Sequence, residues 1–376
     1  MRRCRIHGAT RKEDGTTLAR MTKRERVLRT MRFEETDRVP LYDIFQNDAI
    51  IEHYSGQRFA PGNGARLTGL AIGRVLDMTR MAGGPNETPQ RIDHGDGWVY
   101  QQERWTGWIV QRPFRDLGGL KAWIRKDIQR ADQVCYTDAQ RAAFHDWVRE
   151  RLACFAEGDP NGDPTVLIVE SLPGLTEMYH KAGHELFAYL LADDPGLAEE
   201  WLEALTQAEL RRIACIADPE LIPIALTADD IAYKNGPLFS PAWLRRVFMP
   251  RLKMLNDAWH ERGTLCIFHS DGNLFPVLDD LIATGIDGLN PLEVIAGMTP
   301  RAVREKYPRL VLTGGIDVSQ LLTFGTPDEV REVCLQTIRD VGGRGYFMGS
   351  TTELHWDVRL ENAIAMFETA WNTPLQ

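Results

Sequence analysis

Residues 268–273 read Phe-His-Ser-Asp-Gly-Asn and end the apolar run 264–268, whose pattern is typical of a buried strand. His269 and Asp271 are two positions apart, so their side chains point to the same side if the strand geometry continues. A histidine and a carboxylate placed in this way can bind a metal ion, or act as a general acid with its electrostatic partner. Asp271 can equally cap the helix that the sequence predicts over 274–284.

Polar side chains follow the other apolar runs from residue 160 onward in the same way. The residues at or just beyond these strand ends are Glu170, Asp229, Asp230, Tyr233, Asn290, Glu293, Asp317, Ser350 and His355. For any single aspartate or serine, a helix cap is a better explanation than catalysis. Caps do not explain the histidines, Glu293 or the adjacent Asp229 and Asp230, so the whole set indicates a polar active-site mouth.

Strands and helices alternate along the part of the chain that carries these residues. Strand-like runs occupy 38–45, 165–170, 221–227, 264–269, 285–290, 309–315 and 345–350. Amphipathic helical stretches occupy 174–191, 195–216, 241–261, 274–284, 299–306, 327–341 and 358–372. This order predicts parallel strands joined by crossover helices. Because no GxGxxG loop follows the first strand, a closed (β/α)8 TIM barrel is favoured over a doubly wound sheet, with its active site at the carboxyl ends of the strands.

The N-terminal part of the chain divides into a tail and the start of the barrel domain. Residues 1–20 are polar and lack an apolar stripe, so we expect a disordered tail or an upstream extension of a natural start at Met21. Thr22 and Glu25 form a capping-box pattern that predicts a helix start. Residues 21–376 then form one domain, with a β-hairpin inserted at 96–114.

Composition and charge restrict the class of protein. The chain has 376 residues, 43% of them hydrophobic, and a formal net charge of −9, so nothing suggests nucleic acid or an anionic membrane as partner. No apolar run approaches the roughly 20 residues that span a bilayer. The six cysteines are scattered and form no CxxC pair, which indicates reduced thiols in a cytoplasmic protein.

Four stretches of the sequence resemble one known family. They are 21–40, which opens Met-Thr-Lys-Arg-Glu-Arg-Val, then 239–293, which contains Phe-His-Ser-Asp-Gly-Asn, and finally 312–334 and 345–370. Together they resemble the uroporphyrinogen decarboxylase superfamily, which also contains corrinoid- and coenzyme M-linked methyltransferases. The resemblance covers most of 21–372 and implies a (β/α)8 barrel, in agreement with the strand–helix alternation.

The resemblance is closer to the methyltransferase branch than to the true decarboxylases. The decarboxylases carry an arginine-rich loop after the first strand that holds the carboxylates of an acidic tetrapyrrole, and the equivalent stretch 42–54 contains no arginine. The decarboxylases also carry an aspartate in a Phe-Ser-Asp-Ile-Leu motif, and Asp77 is its only counterpart here. The methyltransferases typically hold zinc with His-x-Cys and a distant second cysteine. Here His269 matches the histidine, Asp271 stands where the first cysteine would be expected, and Gly349-Ser350 stands where the second would be expected.

The resemblance therefore implies methyl transfer between a small methylated compound and a small corrinoid-binding protein. The expected catalytic residues are His269, Asp271, Asp230 and His355. If zinc or another divalent metal takes part, its expected ligands are His269, Asp271 and Glu293. Expected substrate contacts are Glu170, Asp229, Tyr233, Asn290, Asp317, Ser350 and Asp77.

Two other functions and one further partner remain open at this point. The first alternative is a cofactor-free decarboxylase or lyase that acts on a carboxylic acid, in which Asp230 or Asp271 stabilises cationic charge and His355 donates the proton. The second is a non-catalytic ligand-binding barrel, which is disfavoured because so many buried carboxylates are costly. A second copy of the chain is a possible partner, so that the protein would be a homodimer.

Overall fold

The computed structural model describes residues 21–81 and 83–375, so the predicted N-terminal tail lies outside the described residues. The strands are β1 (Met78–Thr79), β2 (Gln90–Asp93), β3 (Val99–Gln102), β4 (Gly107–Gln111), β5 (Val166–Leu167), β6 (Val169–Ser171), β7 (Ile224–Ala228), β8 (Ala232–Tyr233), β9 (Gly236–Pro237), β10 (Leu265–His269), β11 (Gly288–Asn290), β12 (Val311–Thr313) and β13 (Tyr346–Phe347).

The helices lie between and around these strands. They are α1 (Lys23–Met31), α2 (Asp48–Ser55), α3 (Gly64–Val75), α4 (Leu117–Gln133), α5 (Asp138–Gly158), α6 (Leu175–Ala182), α7 (His184–Asp193), α8 (Pro195–Ile216), α9 (Pro241–Trp243), α10 (Met249–His260), α11 (Leu278–Ala283), α12 (Pro300–Lys306), α13 (Leu321–Phe324), α14 (Pro327–Val341) and α15 (Leu360–Asn372). Among the described residues, no helix is both long and apolar enough to cross a membrane.

The main sheet is parallel, which confirms the predicted α/β class. Six strands lie in the order β13, β12, β11, β10, β7 and β6, and all their pairings are parallel. A separate parallel pair joins β1 to β5. Isolated parallel bridges connect Leu41 with Met348 and Tyr42 with Met78, so the segment after α1 lies between β13 and β1.

An apolar cluster fills the inner side of these strands. Its members are Val27, Met31, Tyr42, Met78, Val166, Ile168, Ile224, Leu226, Ile267, Val311 and Phe347. We call this cluster the apolar floor. Val27 and Met31 belong to α1, whose N-cap Thr22 accepts a hydrogen bond from the Glu25 amide, as the sequence predicts. The helix α1 therefore packs against the same cluster as the strand residues.

Several predicted elements differ in extent from the observed ones. The stretch 38–45 contributes only isolated bridges, and β1 was not predicted because two residues are too short to show a strand pattern. The predicted helix over 174–191 is two helices, because Gly183 lies between them with a φ of 81°. The predicted hairpin is confirmed as β3 and β4, and β2 adds a third antiparallel strand.

Candidate active site

A polar layer lies directly above the apolar floor, at the carboxyl ends of the strands. Alternate residues of a strand point to the same side, so a residue two positions after a floor residue also faces inward. Four segments of the two parallel sheets show this step, from Met78 to Arg80, Ile168 to Glu170, Ile267 to His269 and Val311 to Thr313, although Arg80 lies just beyond β1 and Ile168 between β5 and β6. We call these inward-facing positions the polar layer. Two of the strand-end residues predicted from the sequence, Glu170 and His269, therefore lie at the same end of the sheet.

His269 is held in one orientation by its neighbour on the next strand. It pairs in register with Asn290, and its Nδ1 donates a hydrogen bond of 2.7 Å to Asn290 Oδ1. The remaining ring nitrogen, Nε2, lies 3.8 Å from Asp230 Oδ1. Burial lowers the pKa of His269 to about 4, with a further contribution from the positive charge of Arg80. A neutral imidazole with an available Nε2 follows from these contacts.

Asp230, His269 and Asp271 form a compact donor set that we call the acidic trio. Each offers one ligand atom, and these three atoms all lie within 4.8 Å of one another. Asp271 Oδ1 is buried and has no hydrogen-bond partner among the described residues. An unpartnered buried carboxylate oxygen beside two other donors fits a bound cation, since it otherwise loses its solvation without compensation. The trio therefore suits a divalent metal with mixed oxygen and nitrogen ligands.

Glu293 does not belong to this trio, although the sequence predicted it as a metal ligand. Its Oε2 accepts a hydrogen bond of 2.6 Å from the Gly272 amide, which uses the carboxylate to hold the loop after β10. Its charge still acts on the site. Burial, followed by the negative charges of Asp230 and Glu293, raises the pKa of Asp271 to about 7.

The loop that carries Asp271 is pressed against the small hairpin of β8 and β9. Gly272 has a φ of 89°, and a Cβ atom there would come within 2.5 Å of the Tyr233 backbone nitrogen. The Asn273 amide donates to the Tyr233 carbonyl at 3.0 Å, and the Asp271 amide donates to Asp230 Oδ1 at 3.2 Å. Backbone contacts on both sides thus position the Asp271 carboxyl beside Asp230.

Arg80 is a part of the site that the sequence analysis missed. Its Nη1 donates a hydrogen bond of 2.9 Å to Glu170 Oε1, and its charge acts on the pKa of both His269 and Asp271. The signal was present, because Arg80 stands two residues after an apolar methionine. The pattern does not predict a strand there, because β1 has only two residues.

Ser350 and Asn290, which the sequence predicted as substrate contacts, make hydrogen bonds within the protein. Ser350 donates from both its amide and its hydroxyl to the Asp43 carboxylate, each at 2.8 Å. This pair joins the first and last segments of the sheet, and burial raises the pKa of Asp43 to about 7. Asp43 was not predicted because it lies inside the run 38–45. Asn290 orients His269, as described above.

Three carboxylates that the sequence predicted as substrate contacts accept hydrogen bonds within the protein. Asp229 accepts hydrogen bonds from the Gly174 and Leu175 amides at the start of α6. Asp317 accepts from the Gln320 and Leu321 amides at the start of α13, as its cap interpretation predicts. A helix cap therefore also explains Asp229, contrary to the expectation from the sequence. Asp77 precedes β1, at the amino ends of the strands, and its buried carboxylate binds two arginines and one amide. These donors are Arg26, Arg38 and the Leu41 amide.

Tyr233 and His355 are not brought into contact with the acidic trio. The Tyr233 side chain is exposed on β8. His355 Nδ1 accepts a hydrogen bond of 3.2 Å from the Asp357 amide, and its ring packs against Trp356. Their predicted roles in substrate binding and proton transfer remain predictions.

Comparisons with known proteins add a family to this geometry. Among solved structures, a methyltransferase from Methanosarcina mazei is similar in fold, with a TM-score of 0.66 and 18% sequence identity over 93% of this chain and 98% of that chain. A sugar phosphate isomerase/epimerase from Parabacteroides distasonis ATCC 8503 has 14% identity over 68% of this chain and 87% of that chain, but its TM-score of 0.30 carries no weight.

Sequence comparison gives the firmer result. No curated protein matches the chain in sequence. The family of uroporphyrinogen decarboxylase (URO-D) matches residues 175–372, a stretch that contains the whole acidic trio, Asn290 and Glu293. Because this match spans more than half of its length, the chain belongs to the uroporphyrinogen decarboxylase family.

Proposed function

We propose that the chain is an enzyme that transfers a methyl group between a small methylated compound and a corrinoid protein. The observation that carries the proposal is the acidic trio with the unpartnered Oδ1 of Asp271. Membership of the family and similarity in fold to a methyltransferase support it. The corrinoid partner is inferred from the resemblance to the methyltransferase branch.

We also propose that the sheet closes into a (β/α)8 barrel formed by residues 21–376. The six-stranded sheet ends at β6 on one side and β13 on the other. The bridges of Leu41 to Met348 and Tyr42 to Met78, followed by the pairing of β1 with β5, connect these two sides. Since β5 and β6 are separated only by Ile168, eight segments of the described chain would complete the ring.

Asp230, His269 and Asp271 would hold the metal. Two carboxylates and one imidazole suit zinc, or a harder divalent ion at lower affinity than a thiolate site would have for zinc. A divalent ion bound there supplies Lewis acidity to the atom that carries the methyl group. Asn290 fixes the tautomer of His269 and leaves Nε2 available, while burial keeps the imidazole neutral. The apolar floor excludes water from below.

Decarboxylation without a cofactor is the second candidate, and one observation favours it. The pKa of Asp271 is raised to about 7, so a fraction of this carboxyl group is protonated near neutral pH. A protonated acid beside the neutral His269 can donate a proton to a carbanion formed by loss of CO2. The metal content of the active protein separates the two candidates, because this role of Asp271 requires a free carboxyl group.

Metal analysis and methyl transfer together test the proposal. We expect the purified protein to bind about one divalent ion per chain, and Asp271→Asn to weaken that binding at least about ten-fold because a charged ligand is lost. Asp328→Asn is the matched control, because the Asp328 side chain is 95% exposed and lies in a surface ion pair. Transfer is followed by the visible absorbance of cob(I)alamin with a panel of methylated amines, ethers and thioethers.

Two outcomes would count against methyl transfer. One is a failure of every methyl donor to methylate cob(I)alamin with metal-loaded protein. The other is a metal-free protein that releases CO2 from a carboxylic acid with undiminished turnover, which would favour the decarboxylase.

A further inference from the structure

Arg80 and Tyr42 lie side by side on neighbouring segments of the sheet. Tyr42 forms a parallel bridge with Met78, and Arg80 follows two positions after Met78. The Tyr42 ring belongs to the apolar floor, and its exposed fraction is 2%. Because side chains two positions apart on a strand point to the same side, this register places the phenol and the guanidinium on the same side of neighbouring segments.

Both groups retain unused hydrogen-bond donors. The Tyr42 hydroxyl is buried and has no partner among residues 21–81 and 83–375. Within the same described residues, Arg80 donates only from Nη1, to Glu170. A guanidinium has five N–H donors and no acceptor, so one carboxylate contact leaves most of its capacity open. Buried polar groups are normally satisfied, which makes the unpartnered Tyr42 hydroxyl evidence for a ligand. The remaining donors of Arg80, whose side chain is 17% exposed, are available to the same ligand.

The pair of donors lies at the same end of the sheet as the acidic trio. Arg80 and His269 are both members of the polar layer, and the positive charge of Arg80 acts on His269 and Asp271. Thr313 belongs to the same layer, and its buried hydroxyl also lacks a partner among the described residues. Unused donors thus lie at the same end of the sheet as the proposed metal ligands.

We propose that Arg80 and Tyr42 bind a carboxylate of the substrate, which makes the substrate class a small methylated compound with one carboxylate group. This inference rests on the proposed function, because it places the methyl-bearing end of the same molecule at the acidic trio. A carboxylate accepts from both donors, and an Arg–carboxylate contact can be bidentate. Glu170 and Glu353 also act on Arg80, so the subsite suits a single negative charge and not a polyanion.

Binding measurements with matched probes test the proposal without turnover. The probes are 4-methoxybenzoate against methoxybenzene, and 3-(methylthio)propanoate against ethyl methyl sulfide, each titrated calorimetrically into metal-loaded protein. We expect the carboxylated member of at least one pair to bind at least about ten-fold more tightly than its neutral partner. Arg80→Gln should abolish that preference, and Tyr42→Phe should weaken the carboxylated probe about three- to ten-fold, since each removes donors.

Controls keep the outcomes distinguishable. Arg245→Gln removes a surface arginine that pairs with Asp280 and should bind like the parent protein. Tyr42→Phe keeps the buried ring, so it tests the hydroxyl even if Arg80→Gln fails to fold. Choline, a methylated cation without a carboxylate, is a further probe. The proposal would be overturned if neutral and carboxylated probes bound equally, or if no carboxylated probe bound. It would also be overturned if choline bound more tightly than the carboxylated probes, or if both variants kept the preference of the parent protein. Loss of metal from the parent protein would instead count against the proposed methyl transfer.

Discussion

Asp271 places a carboxylate at a position where the resemblance to the methyltransferases implies a thiolate. It stands two residues after His269, where the methyltransferases that the sequence resembles carry a cysteine, and it contributes to the acidic trio. If the trio holds a metal as proposed, it would offer hard oxygen where the resemblance implies soft sulfur, with the imidazole in common. Asn290 holds that imidazole through a 2.7 Å hydrogen bond, as outer partners of metal-binding histidines commonly do.

Introducing a cysteine at position 271 tests whether this residue contacts the metal. We expect Asp271→Cys to bind zinc at least about ten-fold more tightly than the parent protein, because zinc prefers thiolate ligands. A competing chelator measures the affinity, and cobalt substitution should give a thiolate-to-metal absorption band. Asp328→Cys, at an exposed position, controls for a thiol away from the site. A cobalt spectrum without that band in Asp271→Cys would show that residue 271 does not contact the metal.

The loop after β10 shows how an element positions a residue. Gly272 permits a backbone conformation with a φ of 89°, and the absence of a side chain lets the loop approach β8. The Glu293 carboxylate then binds the Gly272 amide from the other side. Both contacts fix the direction in which the neighbouring Asp271 points.

A pair of glycine substitutions separates backbone conformation from steric clash. Gly272→Ala should destabilise the protein about 1–3 kcal/mol more than Gly297→Ala, because only its Cβ would collide with the Tyr233 and Ala232 backbone. Gly297 is the matched control, since its φ of 86° is similar and no atom lies within 4 Å of the added Cβ. Urea denaturation measures both free energies of unfolding. Equal losses in the two variants would contradict the described close approach.

Sequence reasoning identified the elements where apolar runs are long and failed where they are short. The five-residue strand β10 made His269 and Asp271 visible, and the strand-end pattern included Asp230. The two-residue β1 was not visible, so Arg80 was missed. The caps formed by Asp229 and Asp317 resemble active-site carboxylates in sequence, because both follow strands. Only the amide partners in space distinguish the two roles.

At the scale of the whole molecule, Asp77 joins three segments that are distant along the chain. It binds Arg26 of α1, Arg38 and the Leu41 amide, just before β1 begins. Burial alone would raise the pKa of Asp77, but the guanidinium groups of Arg38 and Arg26 outweigh it and hold the pKa well below its ordinary value. A carboxylate with a depressed pKa stabilises the folded state above its unfolded pKa of about 3.9, and this contribution is lost as the pH falls toward the folded pKa.

Removing this charge should therefore affect stability in a pH-dependent way. We expect Asp77→Asn to lower the free energy of unfolding by about 3–5 kcal/mol at pH 7, because two arginines lose a buried partner. The difference from the parent protein should shrink as the pH falls below about 4. Urea denaturation between pH 3 and pH 7 is the measurement. A comparable loss in the surface variant Asp328→Asn, which should be near zero, would indicate a general charge effect.

The apolar floor and α1 have a kinetic consequence for the proposed reaction. Val27 and Met31 of α1 pack into the apolar floor, so in the proposed barrel the amino-terminal side would be filled and substrate and product would pass through the mouth at the carboxyl ends of the strands. A corrinoid protein delivering its cobalt to the acidic trio would have to occupy that same mouth. The small molecule would then have to bind before the corrinoid protein docks, and the product could leave only after the corrinoid protein dissociates. The proposed reaction would therefore follow a compulsory order of binding and release.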